Sequence, residues 1–391
     1  MNPAILHKDI QEFINDNLKS DTTKLILKGI PFTDVTIQEI VSQIEAKKRC
    51  KTKLPTWFNT DGIYYPNKLN IEQTSSEITA NYKASLVSGD SLIDVTGGFG
   101  VDCFAFSDKF KEVTHCEIDT ELATIVKHNF KQLKKTNITQ QAVNGLEYLK
   151  TVKKQYDWIY IDPSRRSDTK EKVFFLNQCQ PDLTIHLDLL LQYSDNILIK
   201  LAPLLDIKKT INDLKFVKEV HCVSIQNEVK EVLFLLEKNY TSDLQIKTIN
   251  ILKNKNQSFN YQLDKSCNIN YNFILKYVYE PNAAILKSGG FIHISERFDI
   301  FKLHPNTHIF TSDTLIDFPG RRFKVLKQLA YNKKLLKKEI PTNKANITVR
   351  NFPETVAQIR KKTGIKEGGN QYLFFITDKD EKHLVLICEK L

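Results

Sequence analysis

SLIDVTGGFGVD, residues 91–102, reads as a buried strand over 91–95, a turn through Gly97, Gly98 and Gly100, and the first residues of a helix. A strand that ends on an acid and turns through glycines lets a ligand come close to the backbone. The amides at the start of the following helix then face that ligand's polar or anionic end. Taken alone, a turn of this kind serves several nucleotide cofactors, and in some proteins only close packing.

The flanking sequence sharpens the reading. VTHCEID, residues 113–119, predicts a second strand ending at Glu117. Asp94 and Glu117 stand 23 positions apart, and a carboxylate about 20 residues past a glycine turn is placed to hold paired ribose hydroxyls in Rossmann-like folds. A third strand over 139–143 runs into Asn144, whose amide can hydrogen-bond an adenine edge. A fourth over 158–161 runs into Asp162-Pro163-Ser164-Arg165-Arg166. Four strands with polar groups at their C-terminal ends set those groups along one crevice edge.

With these stretches the chain resembles the class I S-adenosylmethionine-dependent methyltransferases, within them the bacterial family with a C-terminal THUMP-like domain. The matching segments are IEQTSSEITANYKA (71–84), LIDVTGGFGVD (92–102), CEID (116–119), DPSRR (162–166), IKLAPLLDI (199–207) and GGNQYLFFIT (368–377), spread over nearly the whole chain. The resemblance implies an α/β fold: a Rossmann-like methyltransferase sheet, an N-terminal helical region, and C-terminal α+β domains of ferredoxin-like and THUMP-like type. The expected boundaries are 1–87, 88–238, 239–317 and 318–391. It also implies S-adenosylmethionine as cofactor, with Asp94 near its methionine end, Glu117 at the ribose and Asn144 at the adenine. Gln73, Ser75 and Ser76, just before the first strand, are candidate cofactor contacts by the same resemblance; helix capping alone is the other reading of the serines.

Composition bounds the rest. With 391 residues, 41% hydrophobic and 26% charged, the chain suits a soluble protein of two or three domains. No apolar run reaches membrane-spanning length and the first residues lack a signal-peptide pattern, so a cytoplasmic location is expected. Seven scattered cysteines without a CxxC pair predict neither a disulfide framework nor a zinc site. The net charge of +10 is concentrated. From residue 318 onward there are 17 Lys plus Arg against 7 Asp plus Glu, with Arg321, Arg322, Lys361 and Lys362 among them. A basic terminal region favours a polyanionic partner, most simply RNA or DNA, although a solvated lysine-rich surface has the same composition. True THUMP domains bind structured RNA, and the resemblance points the same way, to rRNA or tRNA.

In chain order, residues 1–70 read as mainly helical, with Thr36 and Glu39 forming a capping box. The aromatic segment 55–67 either lines a substrate mouth or covers the next domain. A helix over 183–193, a strand over 196–201 and two adjacent strands over 220–225 and 232–237 complete the Rossmann-like unit. A helix opened by Pro281 ends near Gly289. In the last segment strands over 321–327, 345–350, 371–377 and 383–388 alternate with helices over 331–339 and 353–363, the second opened by Pro353 and closed by Gly364.

Asp162 and Pro163 are the catalytic candidates. Related methyltransferases that act on exocyclic amines of bases carry an Asp/Asn-Pro-Pro-aromatic motif there, in which the acid or amide holds the amine with its lone pair toward the methyl. Here Ser164-Arg165-Arg166 replaces the Pro-aromatic pair, so the usual stacking platform for a flipped base is missing. Arg165 and Arg166 suit a phosphate or carboxylate near the reacting centre, or Arg165 pairs with a neighbouring acid and stiffens the loop. Lys200 joins that phosphate site or faces solvent. The combined reading is a cytoplasmic methyltransferase acting on a base nitrogen of structured RNA. Two competitors are methylation of a small acidic metabolite or a protein, and a non-catalytic RNA-binding module that retains the cofactor fold. A nicotinamide dehydrogenase is disfavoured because Cys103 stands where GxGxxG has its third glycine.

Overall fold

The computed structural model describes all residues except 166–174, 264, 266 and 267, and at Arg165 it describes the backbone alone. The chain forms two compact units, Met1–Lys218 with Leu233–Thr241, and Glu219–Val232 with Ser242–Leu391. Among the described residues no helix is long and apolar enough to cross a membrane.

The first unit begins with helices. The longest, Ile37–Lys53, starts at the expected capping box, in which Thr36 and Glu39 satisfy each other's backbone N–H groups. The aromatic segment after it is packed inward: Trp57 is fully buried against Phe99 and Phe104, and the Tyr65 hydroxyl donates to the Trp57 carbonyl. Of the two readings for 55–67, these contacts are those of a cover. The helix Glu77–Ala84 is capped by Ser76, whose hydroxyl accepts from the Thr79 amide.

The sheet follows: β1 (Gly89–Asp94), β2 (Phe110–Cys116), β3 (Ile138–Gln141), β4 (Trp158–Ile161), β5 (Asn196–Leu201), β6 (Val217–Ile225) and β7 (Glu228–Glu237). Their order across the sheet is β6-β7-β5-β4-β1-β2-β3. The pairs β1–β2, β2–β3, β1–β4 and β4–β5 are all parallel. Leu92, Ile93, Ile159, Ile161 and Ile197 to Ile199 are wholly buried, as a parallel sheet covered on both faces requires. The chain winds outward from β1 through β2 to β3, then returns to β4 on the other side of β1. That reversal is the switch point at which such sheets open a crevice beyond their strand ends.

The reversed pair of β6 and β7 is longer than the hydrophobic pattern suggested. Its turn is only Gln226–Asn227, both with positive φ (50° and 66°), so Glu228 already belongs to β7. Two consecutive left-handed residues make the primed two-residue turn that matches strand twist.

The second unit includes residues 219–225 of β6; there β8 (Gln245–Ile251) pairs parallel with them and β9 (Gln257–Gln262) returns antiparallel to β8, so the reversed pair does not complete the sheet as the sequence suggested. A second sheet contains β10 (Tyr277–Pro281), β11 (Phe301–Lys302), β12 (Phe310–Ser312), β13 (Gly320–Ala330), β14 (Asn346–Arg350), β15 (Gln371–Thr377) and β16 (His383–Lys390), in the order β11-β12-β10-β13-β16-β15-β14. Strand periodicity builds two cores from one ladder. Phe374, Ile376, Leu386 and Cys388 pack on one side, while Leu373, Phe375, Val385 and Ile387 pack on the other against Leu336 and Ile359 of the helices Lys333–Glu339 and Val356–Thr363.

Contrary to the sequence reading, neither Pro281 nor Pro353 opens its helix. Pro281 ends β10, and the helix Ala283–Ser288 is opened by Asn282, which caps the Ile285 amide. Pro353 lies ahead of its helix, which starts at Val356 behind a Thr355–Gln358 capping box. In both places a side-chain cap satisfying a free amide sets the start, which proline cannot do. Gly364 closes the second helix with φ of 77°, as expected.

Candidate active site

Asp94 ends β1 and Asp162 follows β4 directly, so the neighbouring strands bring both acids to the switch point. Three side chains and four backbone groups tie these ends together. Val95 N–H donates to the Tyr160 carbonyl at 3.2 Å. The Thr96 hydroxyl donates to Asp94 Oδ1 at 3.2 Å and accepts from the Asp162 amide at 2.7 Å. The Thr96 amide also donates to Asp94 Oδ1, at 2.9 Å, and the Cys103 thiol reaches Asp94 Oδ2 at 3.3 Å. Asp94 is thus 1% exposed, its carboxyl turned inward to the turn it anchors. Burial pushes that carboxyl up to about 7, with the charges of Asp102 and Asp162 adding to the effect.

Behind the turn lies a second buried acid. Asp102 sits in the helix Val101–Phe106 and pairs with Lys83 Nζ at 3.1 Å. Its Oδ2 also accepts from the Ser75 and Tyr160 hydroxyls, each at 2.8 Å. Burial works to raise Asp102, but the Lys83 and Lys200 ammoniums and these hydroxyls outweigh it and hold the carboxyl below the usual carboxylate range. Lys83 has no exposure at all. A lysine and an aspartate so enclosed are tolerated only as a pair. Ser75 therefore serves this buried cluster, Ser76 caps its helix, and Gln73 lies exposed at the end of the helix Lys68–Gln73.

The turn's glycines answer to different constraints. A Cβ on Gly97 would lie 2.3 Å from His115 Nε2. His115 is fully buried beneath the turn, bonds the Gly98 carbonyl at 3.2 Å and is pushed by burial down to about 4. Gly98 and Gly100 have φ of 55° and 79°, and a Cβ on Gly100 would also meet Phe130 at 2.6 Å. Glu117 stands just past β2. Its Oε2 accepts from the Gly98 amide and its Oε1 from the Asp119 amide, both at 2.8 Å, so each oxygen retains a lone pair. Asn144 caps the helix Gly145–Val152 through the Leu146 and Glu147 amides, and its amide nitrogen is not engaged by that cap. Gly145 beside it packs so tightly that a Cβ would meet the Val95 carbonyl at 2.4 Å.

Beyond β4, Asp162 pairs with Lys200 of β5 through Oδ2. Lys200 is 14% exposed and Asp162 32%. So of the three aspartates gathered here, Asp162 alone is reachable from outside. Pro163 is buried; Ser164 and Arg165 form a two-residue ladder with Cys179 and Gln180. Arg166 lies outside the described residues, as does the Arg165 side chain.

Thr96, Lys83, Asp102, Tyr160 and Gly145 were not singled out from sequence, and His115 reads there only as a structural histidine without metal-ligand spacing. The register Asp94↔Tyr160 and Asp94↔His115 brings two of them to the turn, and that register is set by pairing between distant segments. In the basic region Arg321 and Arg350 converge on buried Glu280, with Arg350 Nη2 at 2.6 Å. Arg322 lies 3.9 Å from Asp317 and Lys362 pairs with Glu354 at 2.8 Å. Lys333, Lys334, Lys337, Lys338 and Lys361 are exposed on the two helices of this unit.

Comparison with known proteins agrees with this architecture. Residues 64–183 match the family described as conserved hypothetical protein 95, residues 277–319 a ferredoxin-like domain, and residues 320–390 a THUMP domain-like family. A crystal structure from Porphyromonas gingivalis W83, provisionally described as a methyltransferase, is 30% identical, covers 99% of this chain and 98% of its own, and superposes with a TM-score of 0.87. An uncharacterized RNA methyltransferase of Mycoplasma mobile is 25% identical over 199 residues, 48% of this chain. The chain spans about half, 54%, of that relative's length. Agreement with the Porphyromonas protein from end to end, through all three matched regions, means that the chain belongs to this family of methyltransferases with ferredoxin-like and THUMP-like domains.

Proposed function

We propose that the protein transfers a methyl group from S-adenosylmethionine to a base nitrogen of structured RNA, rRNA or tRNA, with Asp162 positioning the acceptor. One observation carries this reading: of the three aspartates Asp94, Asp102 and Asp162, the accessible one, Asp162, follows the strand beside the glycine turn.

The residues fit the cofactor. Glu117 keeps a lone pair on each oxygen for two ribose hydroxyls, and Asn144 keeps an amide donor for an adenine edge. Gly98, where a Cβ would meet nothing closer than the Thr96 carbonyl at 3.9 Å, leaves the backbone bare for a ligand, while Gly97 and Gly100 let the turn pack down on His115 and Phe130. Asp94 contributes from beneath the turn, by holding Thr96 and Cys103. S-adenosylmethionine supplies an electrophilic methyl on a sulfonium. The chain's part is alignment and exclusion of water, which suffices for an in-line displacement without a metal or covalent enzyme adduct. Asp162 Oδ1 accepts an N–H of the acceptor amine while Lys200 fixes Oδ2, so the nitrogen lone pair is aimed rather than merely near. The exposed lysines of the helices Lys333–Glu339 and Val356–Thr363 supply the charge to hold folded RNA by its backbone.

The test is transfer of labelled methyl from S-adenosylmethionine to total RNA from a strain lacking the gene, fractionated by size, beside an Asp162→Ala control. Label in one RNA class, lost in the control, supports the reading. Cofactor binding by calorimetry with no labelled RNA refutes RNA as the substrate and moves a small molecule or protein to first place.

A further inference from the structure

The Thr96 hydroxyl is the one side-chain group among the described residues that bonds both strand ends of the switch point, donating to Asp94 Oδ1 and accepting from the Asp162 amide. We propose that Thr96 is a positioning residue for methyl transfer, its hydroxyl fixing the backbone of Asp162 against the cofactor turn so that acceptor and methyl donor share one frame. The inference rests on the reading that Asp162 positions the acceptor.

The geometry leaves little slack. Strand β4 ends at Ile161, and Pro163 follows Asp162, so the peptide carrying the Asp162 carboxylate has no ladder bond of its own beyond the strand. Its N–H is satisfied by Thr96 alone among the hydrogen bonds found, at 2.7 Å. Thr96 is in turn held twice by Asp94, through amide and hydroxyl. On the carboxylate side Lys200 fixes Oδ2. Asp162 is thus clamped at its backbone by the cofactor turn and at its side chain by β5. Removing the backbone clamp frees the peptide to rotate without emptying the cofactor site, because Glu117, Asn144 and the glycines do not depend on the Thr96 hydroxyl.

Thr96→Val keeps the shape and β-branching and deletes the hydroxyl; Thr96→Ser keeps the hydroxyl. Turnover is measured on the full chain with labelled S-adenosylmethionine and unfractionated extract from a strain lacking the gene, so the acceptor class is not presupposed. Thr96→Val is expected to lose about 10- to 100-fold in kcat, the scale of a small misplacement at a reacting centre, with the KM for S-adenosylmethionine unchanged. Thr96→Ser is expected to recover most of the rate. Combining Thr96→Val with Asp162→Ala should cost little more than Asp162→Ala alone. A wild-type rate in Thr96→Val beside a slow Asp162→Ala overturns this proposal only; a wild-type rate in Asp162→Ala overturns the role given to Asp162 and this proposal with it. Amide exchange at Asp162 supplies a reading independent of turnover: protection lost in Thr96→Val and kept in Thr96→Ser is expected, and equal protection in both overturns the link.

Discussion

Replacing Asp94 with Asn should change how the stability of the first unit depends on pH. The Asp94 carboxyl sits at about 7 in the folded chain against an ordinary 3.8. Below pH 4 both folded and unfolded chains carry its proton, and Asp94→Asn differs from the wild type only by a fixed offset. Between about 4 and 7 the folded chain retains a proton that the unfolded chain releases, so wild-type stability falls as pH rises, by about 1.4 kcal/mol per unit. Over roughly three units the loss reaches about 4 kcal/mol, complete by about pH 8. Asn stays neutral throughout, and its carbonyl can keep both Thr96 bonds. The gap between variant and wild type should therefore widen from pH 5 to pH 8 in favour of the variant. His115, held near 4 by burial, tilts both proteins the opposite way, since a histidine kept neutral in the folded state loses stability on acidification; it cancels in the difference. Urea unfolding followed by tryptophan fluorescence is the assay, because both tryptophans, Trp57 and Trp158, lie in the first unit. A difference that stays constant across pH 5 to 8 would mean that Asp94 ionises inside the fold at no cost, and would refute the reasoning.

Three further outcomes follow from the same cluster. At pH 6.5 the positive charges of S-adenosylmethionine should help Asp94 ionise, so its binding enthalpy should vary with the ionisation heat of the buffer in the wild type and not in Asp94→Asn; identical buffer dependence in both would disprove this. Gly97→Ala must displace His115 or the turn, costing about 1–3 kcal/mol of stability and weakening S-adenosylhomocysteine binding in calorimetry; unchanged values in both measurements would show that the site yields freely. Lys83→Met leaves Asp102 buried without its cation and should destabilise the first unit by about 3–5 kcal/mol. In that case Lys83→Met with Asp102→Leu should recover much of the loss in urea unfolding, and no recovery would mean that the pair matters for its shape alone.

The crevice was legible because strand ends are local events. Asp94 and Asp162 each close a hydrophobic run, Glu117 and Asn144 stand just past the two strands that follow the turn, and a parallel sheet then aligns them. What was hidden is the set of partners. Nothing local to Thr96 says that its hydroxyl meets an amide 66 positions away; that depends on β4 returning beside β1. Lys83 looks like an ordinary surface lysine on an amphipathic helix until the packing of that helix shuts it in with Asp102. Lys200 was given either phosphate or solvent, and the ion pair with Asp162 is a third arrangement, visible only once β4 and β5 are neighbours. Net charge shows the same limit. Arg321 counts toward a basic region in the sequence, but in the fold it answers to buried Glu280 on β10.

The path of the chain through its two units constrains how the protein can be divided, whether by a protease or by gene rearrangement. The chain leaves the first unit at Lys218, returns at Leu233 and departs again after Thr241. A gene cut after Thr241 would still encode 219–232 but would lack β8, the parallel partner of β6 along its length. The truncated product would carry a bare strand edge, a template for association with other chains. A first unit moved alone into another protein would bring that liability with it, so single-break recombination passes both units on as one block.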